Sequence, residues 1–222
     1  MWSSDSELFA LMKERLFPAV VGDILDQLGF LHQFLPASIH PLHDDMKVVG
    51  RAMPVLEADL QGGAAPSKPF GLMLEALDDL KQDEVYVAAA GSEASYAMWG
   101  ELMSTRARHL GAAGAVLNGP SRDTRGILAM NFPVFSSGRY AQDQGARGEV
   151  VDFRMPLYIE QVRIDPGALI FGDIDGVLVI PPAAEREALI LALEKVAKEN
   201  TVRDAILSGI SAAEAFAKHG VM

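Results

Sequence analysis

An arginine and an aspartate stand side by side in Asn118-Gly119-Pro120-Ser121-Arg122-Asp123, at the end of the apolar run GAVLNG. This places a guanidinium and a carboxylate side by side just beyond a strand end, and loops that follow strand ends are where α/β folds carry their sites. The same pair can be structural, with Asp123 capping a helix formed by TRGILAM. A second candidate is Trp99-Gly100-Glu101-Leu102-Met103. A glycine at a helix start leaves backbone N–H groups open to a carboxylate, although an isolated glycine can equally serve only to close a strand-to-helix turn. Glu101 by itself would complement the helix dipole. A third is His40-Pro41-Leu42-His43-Asp44-Asp45, all capable metal ligands but in no recognised zinc spacing, so a solvated loop is expected there. His32, His109 and His219 are isolated and no serine pairs with them as a triad requires, so no catalytic role is assigned to them. Asp173 and Asp175 read as an Asp-Gly hairpin turn, since the ligand sequence of a calcium loop is missing.

The elements that must position these residues follow from hydrophobic period and breakers. Residues 6–29 read as two packing helices, with Leu8, Leu11, Met12 and Leu16 on one face, a break at Pro18, then Val21, Ile24, Leu25 and Leu28. KVVGRAMPVLEA reads as a strand in which Gly50 marks a bulge or a close backbone approach, and QGGAAPSKPF as a loop. From FGLMLEALDDL onward helix and strand alternate: EVYVAAAG, GELMSTRARHLG, GAVLNG, a further helix and FPVFSSG. GEVVDFRMPLYI, QVRIDPGALI and IDGVLVIP are three strand-like runs separated by turn signals, read as antiparallel hairpins. Pro182 to Ala217 reads as helix with Leu189, Leu193, Val196, Val202 and Ile206 toward the core. With 222 residues, 50% of them hydrophobic, one mixed α/β domain is expected over 1–222, residues 182–222 forming a C-terminal helical extension.

Composition narrows the function classes. The net charge of −11 repels a phosphate backbone and an anionic membrane alike, so nucleic acid and membrane are not expected partners, and a small anion needs a local positive centre. The absence of cysteine removes thiol nucleophiles, disulfides and Cys-ligated metals and points to the cytoplasm. The N-terminus has no basic-then-apolar leader, and no stretch approaches a membrane span. No phosphate-binding P-loop is present, and the glycines of HLGAAGAV sit in the wrong order for a dinucleotide fingerprint.

Read in order, GRAMPV, WGELM, HLGAAGAVLNGPSRD, FPVF and PGALIFGDIDGVLVIP resemble the family that contains 4-hydroxy-4-methyl-2-oxoglutarate aldolases and the regulator of ribonuclease activity A, over roughly Val20 to Gly209. The resemblance implies an α/β sandwich around a small barrel-like mixed sheet with N- and C-terminal helices. It also implies a homo-oligomer, trimer or hexamer, with sites at subunit interfaces. It implies that Asp123 holds a Mg2+ or Mn2+ ion through a water-rich shell and that Arg122 lies beside the substrate oxygens. Gly100, Glu101, Leu102 and Met103 then receive the carboxylate of a small anionic 2-oxo acid on their backbone amides. Glu101 corresponds to an acidic residue near the catalytic water, and Glu199 to a glutamate contributed by a neighbouring subunit; as a residue of this chain alone Glu199 reads as an exposed helix charge. The implied activity is a metal-dependent aldolase that releases pyruvate from 4-hydroxy-2-oxo acids, with oxaloacetate decarboxylation passing through the same enolate. The alternative is a non-catalytic regulator resembling the ribonuclease E inhibitor; those members keep the Arg-Asp pair but are shorter, so the helical extension favours the enzyme. Three positions depart from the family pattern: Asn118 stands for Asp, Ala168 for the Asp of a Pro-Gly-Asp turn, and Glu160-Gln161 for Gly-Gly.

Overall fold

A computed structural model of the chain describes residues 2–60, 68–90 and 95–220. Most of the loop expected at QGGAAPSKPF lies outside the described residues, as does Gly91. The alternating middle of the sequence builds the frame: β2 (Val48–Asp59), β3 (Glu84–Ala90), β4 (Gly114–Ser121) and β5 (Val134–Arg139) pair in parallel, in that order. The crossovers carry α3 (Met73–Asp78), α4 (Glu101–His109) and α5 (Thr124–Met130). Parallel strands joined this way are covered on both faces, which is why, after Glu84, VYVAAA runs without a charged residue instead of alternating.

Antiparallel strands complete the sheet. β9 (Leu169–Asp173) pairs with the start of β2 and, through the Asp173–Gly176 turn, with β10 (Gly176–Ile180); β6 (Gly148–Phe153) pairs with the far half of β2. β1 (His40–Pro41) lies on β5, while Phe34 bridges to Leu178 on β10, so the short segment between them ties the two sheet edges and nearly closes a barrel. A β7 (Leu157–Ile159) and β8 (Val162–Ile164) hairpin stands apart. The fold is thus the expected mixed α/β sandwich around a barrel-like sheet. One apolar core fills the space between the sheet, α3, α4 and α5. A second is formed by α1 (Asp5–Arg15), α2 (Pro18–Gln27) and α6 (Glu185–Leu207) against β9 and β10. Arg51 of β2 ties the starts of α1 and α6 to the sheet, pairing with Asp5 at 2.6 Å and Glu185 at 2.5 Å.

Several local expectations change. Gly50 is a close approach: a Cβ there would sit 2.4 Å from the Asp83 carbonyl oxygen, and the irregular register of β2 falls later, between Leu56 and Glu57. β4 does not stop at Asn118-Gly119 but runs to Ser121, because after a register shift Pro120 and Ser121 still pair with Gly138 and Arg139. GEVVDFRMPLYI is two strands, broken at Arg154, whose φ is 58°, and Pro156, and β6 pairs with β2 rather than with its chain neighbour. The C-terminal helix is two helices, α6 and α7 (Ala212–His219), interrupted at Gly209 with φ 102°, and Ile206 faces outward instead of into the core.

Two family departures have readable consequences. Ala168 is buried at the turn into β9, where an aspartate would have to place a charge out of reach of water. Glu160, in the two-residue turn of the β7–β8 hairpin, adopts φ 50°, a left-handed conformation that costs a residue with a Cβ roughly 1–2 kcal/mol. Glu160→Gly is therefore expected to raise unfolding stability by about 0.5–1 kcal/mol after glycine's extra unfolded-state entropy is subtracted. Urea unfolding of the two proteins measures this; an unchanged midpoint would mean the turn carries no such strain.

Candidate active site

The two motifs, twenty residues apart, meet because the chain before α4 runs alongside the end of β4. Trp99 bridges to Ser121, the Met98 N–H donates to the Pro120 carbonyl at 2.9 Å, and the Arg122 N–H donates to the Trp99 carbonyl at 2.9 Å. Trp99 itself is buried against Tyr86 and Phe132, with its indole N–H donating to the Ser104 hydroxyl at 2.7 Å. This rigid platform sets the start of α4 over the Arg-Asp pair.

Asp123 occupies the N-cap position of α5 but does not cap it. Its backbone is left-handed, φ 57° and ψ 33°, and its carboxylate makes no hydrogen bond to the α5 turn. The carboxylate is turned to the other helix instead, where Oδ2 accepts the Glu101 N–H at 3.2 Å. Gly100 permits this contact: a Cβ at that position would lie 2.6 Å from Asp123 Oδ2. The Arg122 guanidinium is shared, with Nε 3.7 Å from Asp123 Oδ2 and a terminal nitrogen 2.7 Å from Asp143 Oδ1. Asp143 has no signature in the sequence; it sits in an irregular loop, and only the tertiary fold brings it to Arg122.

Arg122 and Asp123 are both partly exposed, and they form a wall between two openings. On one side a cavity of about 400 Å3 is lined by Gly100, Leu102, Met103 and Asp143 and by apolar groups from α3, Met73, Leu74 and Leu77. On the other side a smaller depression of about 290 Å3 adds Ser121, Thr124, Arg139 and Tyr140. The structure therefore gathers Gly100, Leu102, Met103, Arg122 and Asp123 around one space. Glu101 contributes its backbone N–H there, while its side chain lies over Gly126 in the first turn of α5, outside the cavity lining. Glu199 is elsewhere on the subunit: it pairs with Lys195 at 3.7 Å and borders a surface depression with Val202, Arg203, Ile206 and Leu207 on α6.

The donor set limits which cation could bind at this point. Among the described residues no group of three or more His, Cys, Asp or Glu side chains is placed to enclose a metal, and His43 pairs with Asp45 at 3.6 Å in its own loop. A single exposed carboxylate suits a hard cation that keeps most of its waters, as Mg2+ does, and does not suit zinc.

Comparisons with known proteins agree with this architecture. The model of the RraA-like family, described as Aldolase/RraA, matches residues 19–179. A curated protein from Halalkalibacterium halodurans, which carries a provisional 4-hydroxy-4-methyl-2-oxoglutarate aldolase name, is 31% identical over 214 residues, 96% of each chain. Among solved structures, an uncharacterised protein from Pseudomonas syringae superposes with a TM-score of 0.81 at 27% identity, covering 96% of this chain and 97% of that one. Streptomyces coelicolor RraAS2, described as an unusual member of the RNase ES inhibitor RraA family, superposes with a TM-score of 0.79 at 22% identity. It covers 91% of this chain and 99% of its own, so chain length alone does not separate aldolase-named from inhibitor-named relatives. Among the described residues no helix is long and apolar enough to cross a membrane.

Proposed function

The chain belongs to the RraA-like family, and from that premise we propose that it is a divalent-metal-dependent lyase that cleaves 4-hydroxy-2-oxo acids and releases pyruvate. The observation that carries this reading is the orientation of Asp123: a carboxylate at an N-cap position that leaves its own helix uncapped, faces an open cavity and stands beside a guanidinium. An Asp whose only role was to cap α5 would bond the first turn of that helix.

Asp123 would hold Mg2+ or Mn2+, whose chemistry when bound is that of a Lewis acid toward the 2-oxo oxygen. Arg122 adds fixed positive charge where negative charge develops, and Asp143 keeps that guanidinium from swinging away. The first-turn amides of α4, which lack intrahelical acceptors, face the substrate carboxylate at Leu102 and Met103. In the cleavage a base takes the 4-hydroxyl proton and the C3–C4 pair moves to C3. The products are a carbonyl compound and the enolate of pyruvate, which is then protonated at C3. We assign the proton transfer to a water held by Glu101 or by Glu199 of a neighbouring subunit in a trimer or hexamer. The exposed Leu102 and Leu74 at the cavity rim support burial of this face in an assembly. Oxaloacetate, which loses carbon dioxide through the same enolate, is a second substrate of this site.

The test is pyruvate release from 4-hydroxy-4-methyl-2-oxoglutarate and from oxaloacetate, with magnesium and after chelation. Metal-dependent release supports the lyase. Its absence with both substrates, from a folded magnesium-loaded protein, would move the weight to a binding regulator, the reading that kinship with RraAS2 favours.

The two openings make a prediction about the far end of the substrate. Arg139 lines the smaller one, beside Ser121, Thr124 and Tyr140, and donates to the Leu42 carbonyl at 3.0 Å; among the described residues no carboxylate pairs with it. A second substrate carboxylate is expected there, since the other opening is mainly apolar. Arg139→Gln should raise KM for dicarboxylic substrates roughly 10- to 100-fold, the usual value of one charged hydrogen bond, and leave a 4-hydroxy-2-oxo monocarboxylate nearly unaffected. Equal effects on both would place the distal group in the apolar opening.

A further inference from the structure

Behind the cavity wall lies a buried acid that the proposed chemistry does not use. Glu57, at the β2 register irregularity, is 1% exposed. Its Oε2 accepts the side-chain amide of Gln144 at 3.1 Å, while its Oε1 has no hydrogen-bond partner. The Tyr86 hydroxyl is likewise buried and unpartnered, and the buried Tyr96 hydroxyl is directed at the Glu57 and Asp59 carboxylates. The ionisable groups facing Glu57 are Tyr86 from β3, Tyr96 from the segment before α4 and Asp59 farther along its own strand. None of these supplies a positive charge, and among the described residues no Arg, Lys or His pairs with it.

Gln144 connects this acid to the site. It lines the cavity, and its carbonyl accepts the Arg147 and Gly148 N–H groups at 2.6 and 3.1 Å. The preceding residue, Asp143, holds Arg122. We propose that Glu57 is a positioning residue that sets the Arg122–Asp143 pair through Gln144, so that its ionisation loosens the arginine that receives the substrate. The proposal rests on the reading of Arg122 given above.

The physical reason is the accounting of Glu57's two oxygens. While neutral, Oε2 accepts from Gln144 and the proton on Oε1 can be given to a tyrosine hydroxyl, so the chamber needs no cation. Once ionised, the carboxylate is a buried charge facing Asp59, against which only the Gln144 amide and the Tyr96 hydroxyl can donate; hydrating it requires water to enter from the cavity past Gln144. Burial raises Glu57 to about 8, which places the transition in the mildly alkaline range.

The experiment follows hydrogen exchange of the 140–148 segment by mass spectrometry on both sides of that pH, corrected for intrinsic exchange. Pyruvate affinity is measured in parallel by calorimetry with magnesium. In the parent chain, exchange of this segment should rise roughly threefold or more on the alkaline side and pyruvate affinity should fall roughly tenfold. Glu57→Gln should remove both inflections. Gln144→Leu should give fast exchange and weak pyruvate binding at every pH, and it carries the test if the first variant folds poorly. An alkaline rise that persists in Glu57→Gln, or a Gln144→Leu protein that exchanges and binds like the parent, overturns the proposal. If the parent shows the exchange inflection but binds no pyruvate at any pH, the lyase reading fails while the Glu57–Gln144 coupling stands.

Discussion

Replacing Asp123 by asparagine is expected to lower metal-dependent pyruvate release by roughly a thousandfold or more while leaving the fold intact. Asparagine is the informative substitution for two reasons. It is among the few residues that tolerate the left-handed conformation found at this position, so backbone strain does not confuse the result. Its side-chain oxygen can still accept the Glu101 N–H that Asp123 now accepts. What it removes is the negative charge that anchors the cation. Because Asp123 does not cap α5, the thermal midpoint should move by no more than about 2–3 °C, the equivalent of less than 1 kcal/mol for a chain of this size. Initial rates over a magnesium titration, with a melt of each protein, separate the outcomes. Near-parental activity would mean the cation is held elsewhere. A large loss of stability would restore the structural reading of the Arg-Asp pair.

The second large effect concerns stability, and its sign is unusual for a glutamate. Desolvation raises Glu57 from the ordinary value of 4.5 to about 8, with the neighbouring Asp59 charge acting in the same direction and the Tyr96 hydroxyl opposing it. Below pH 4.5 both the folded and the unfolded chain carry the proton, and the group is neutral with respect to folding. Between 4.5 and 8 the unfolded chain releases the proton and the folded chain keeps it, so stability falls as pH rises through this window and levels off above it. The full cost is on the order of 4–5 kcal/mol. Glu57→Gln cannot ionise, and its amide can donate to the same tyrosine hydroxyls. It should therefore melt close to the parent near pH 4 and higher by on the order of 10 °C near pH 9. Parallel melting curves across the range would show that Glu57 is ionised in the native state and its charge compensated.

Local pattern carried much of this protein. The alternation of helix and strand, the apolar continuity of β3, the Asp-Gly turn between β9 and β10 and the glycine at the start of α4 follow from periodicity and backbone chemistry acting over a few residues. Breaks that depend on pairing partners were less legible. Pro120 and Ser121 look like the start of a loop until β5 is placed beside them, and β6 looks like half of a hairpin until β2 supplies its partner. The fate of Ile206 was hidden for the same reason: helical period shows that a face is apolar, not whether this subunit covers it.

At the site, the chemical inventory is legible from residue order alone: an arginine and an aspartate after a strand, a glycine-opened helix, no thiols and a net negative charge that requires a local positive centre. Tertiary structure alone decided how these are used. It turned Asp123 away from its own helix toward the Glu101 amide, recruited Asp143 to hold Arg122, and buried Glu57 with two tyrosines behind Gln144. Each of these is a contact between residues distant in sequence, and a carboxylate's role depends on the charges and the water around it, which no spacing along the chain encodes.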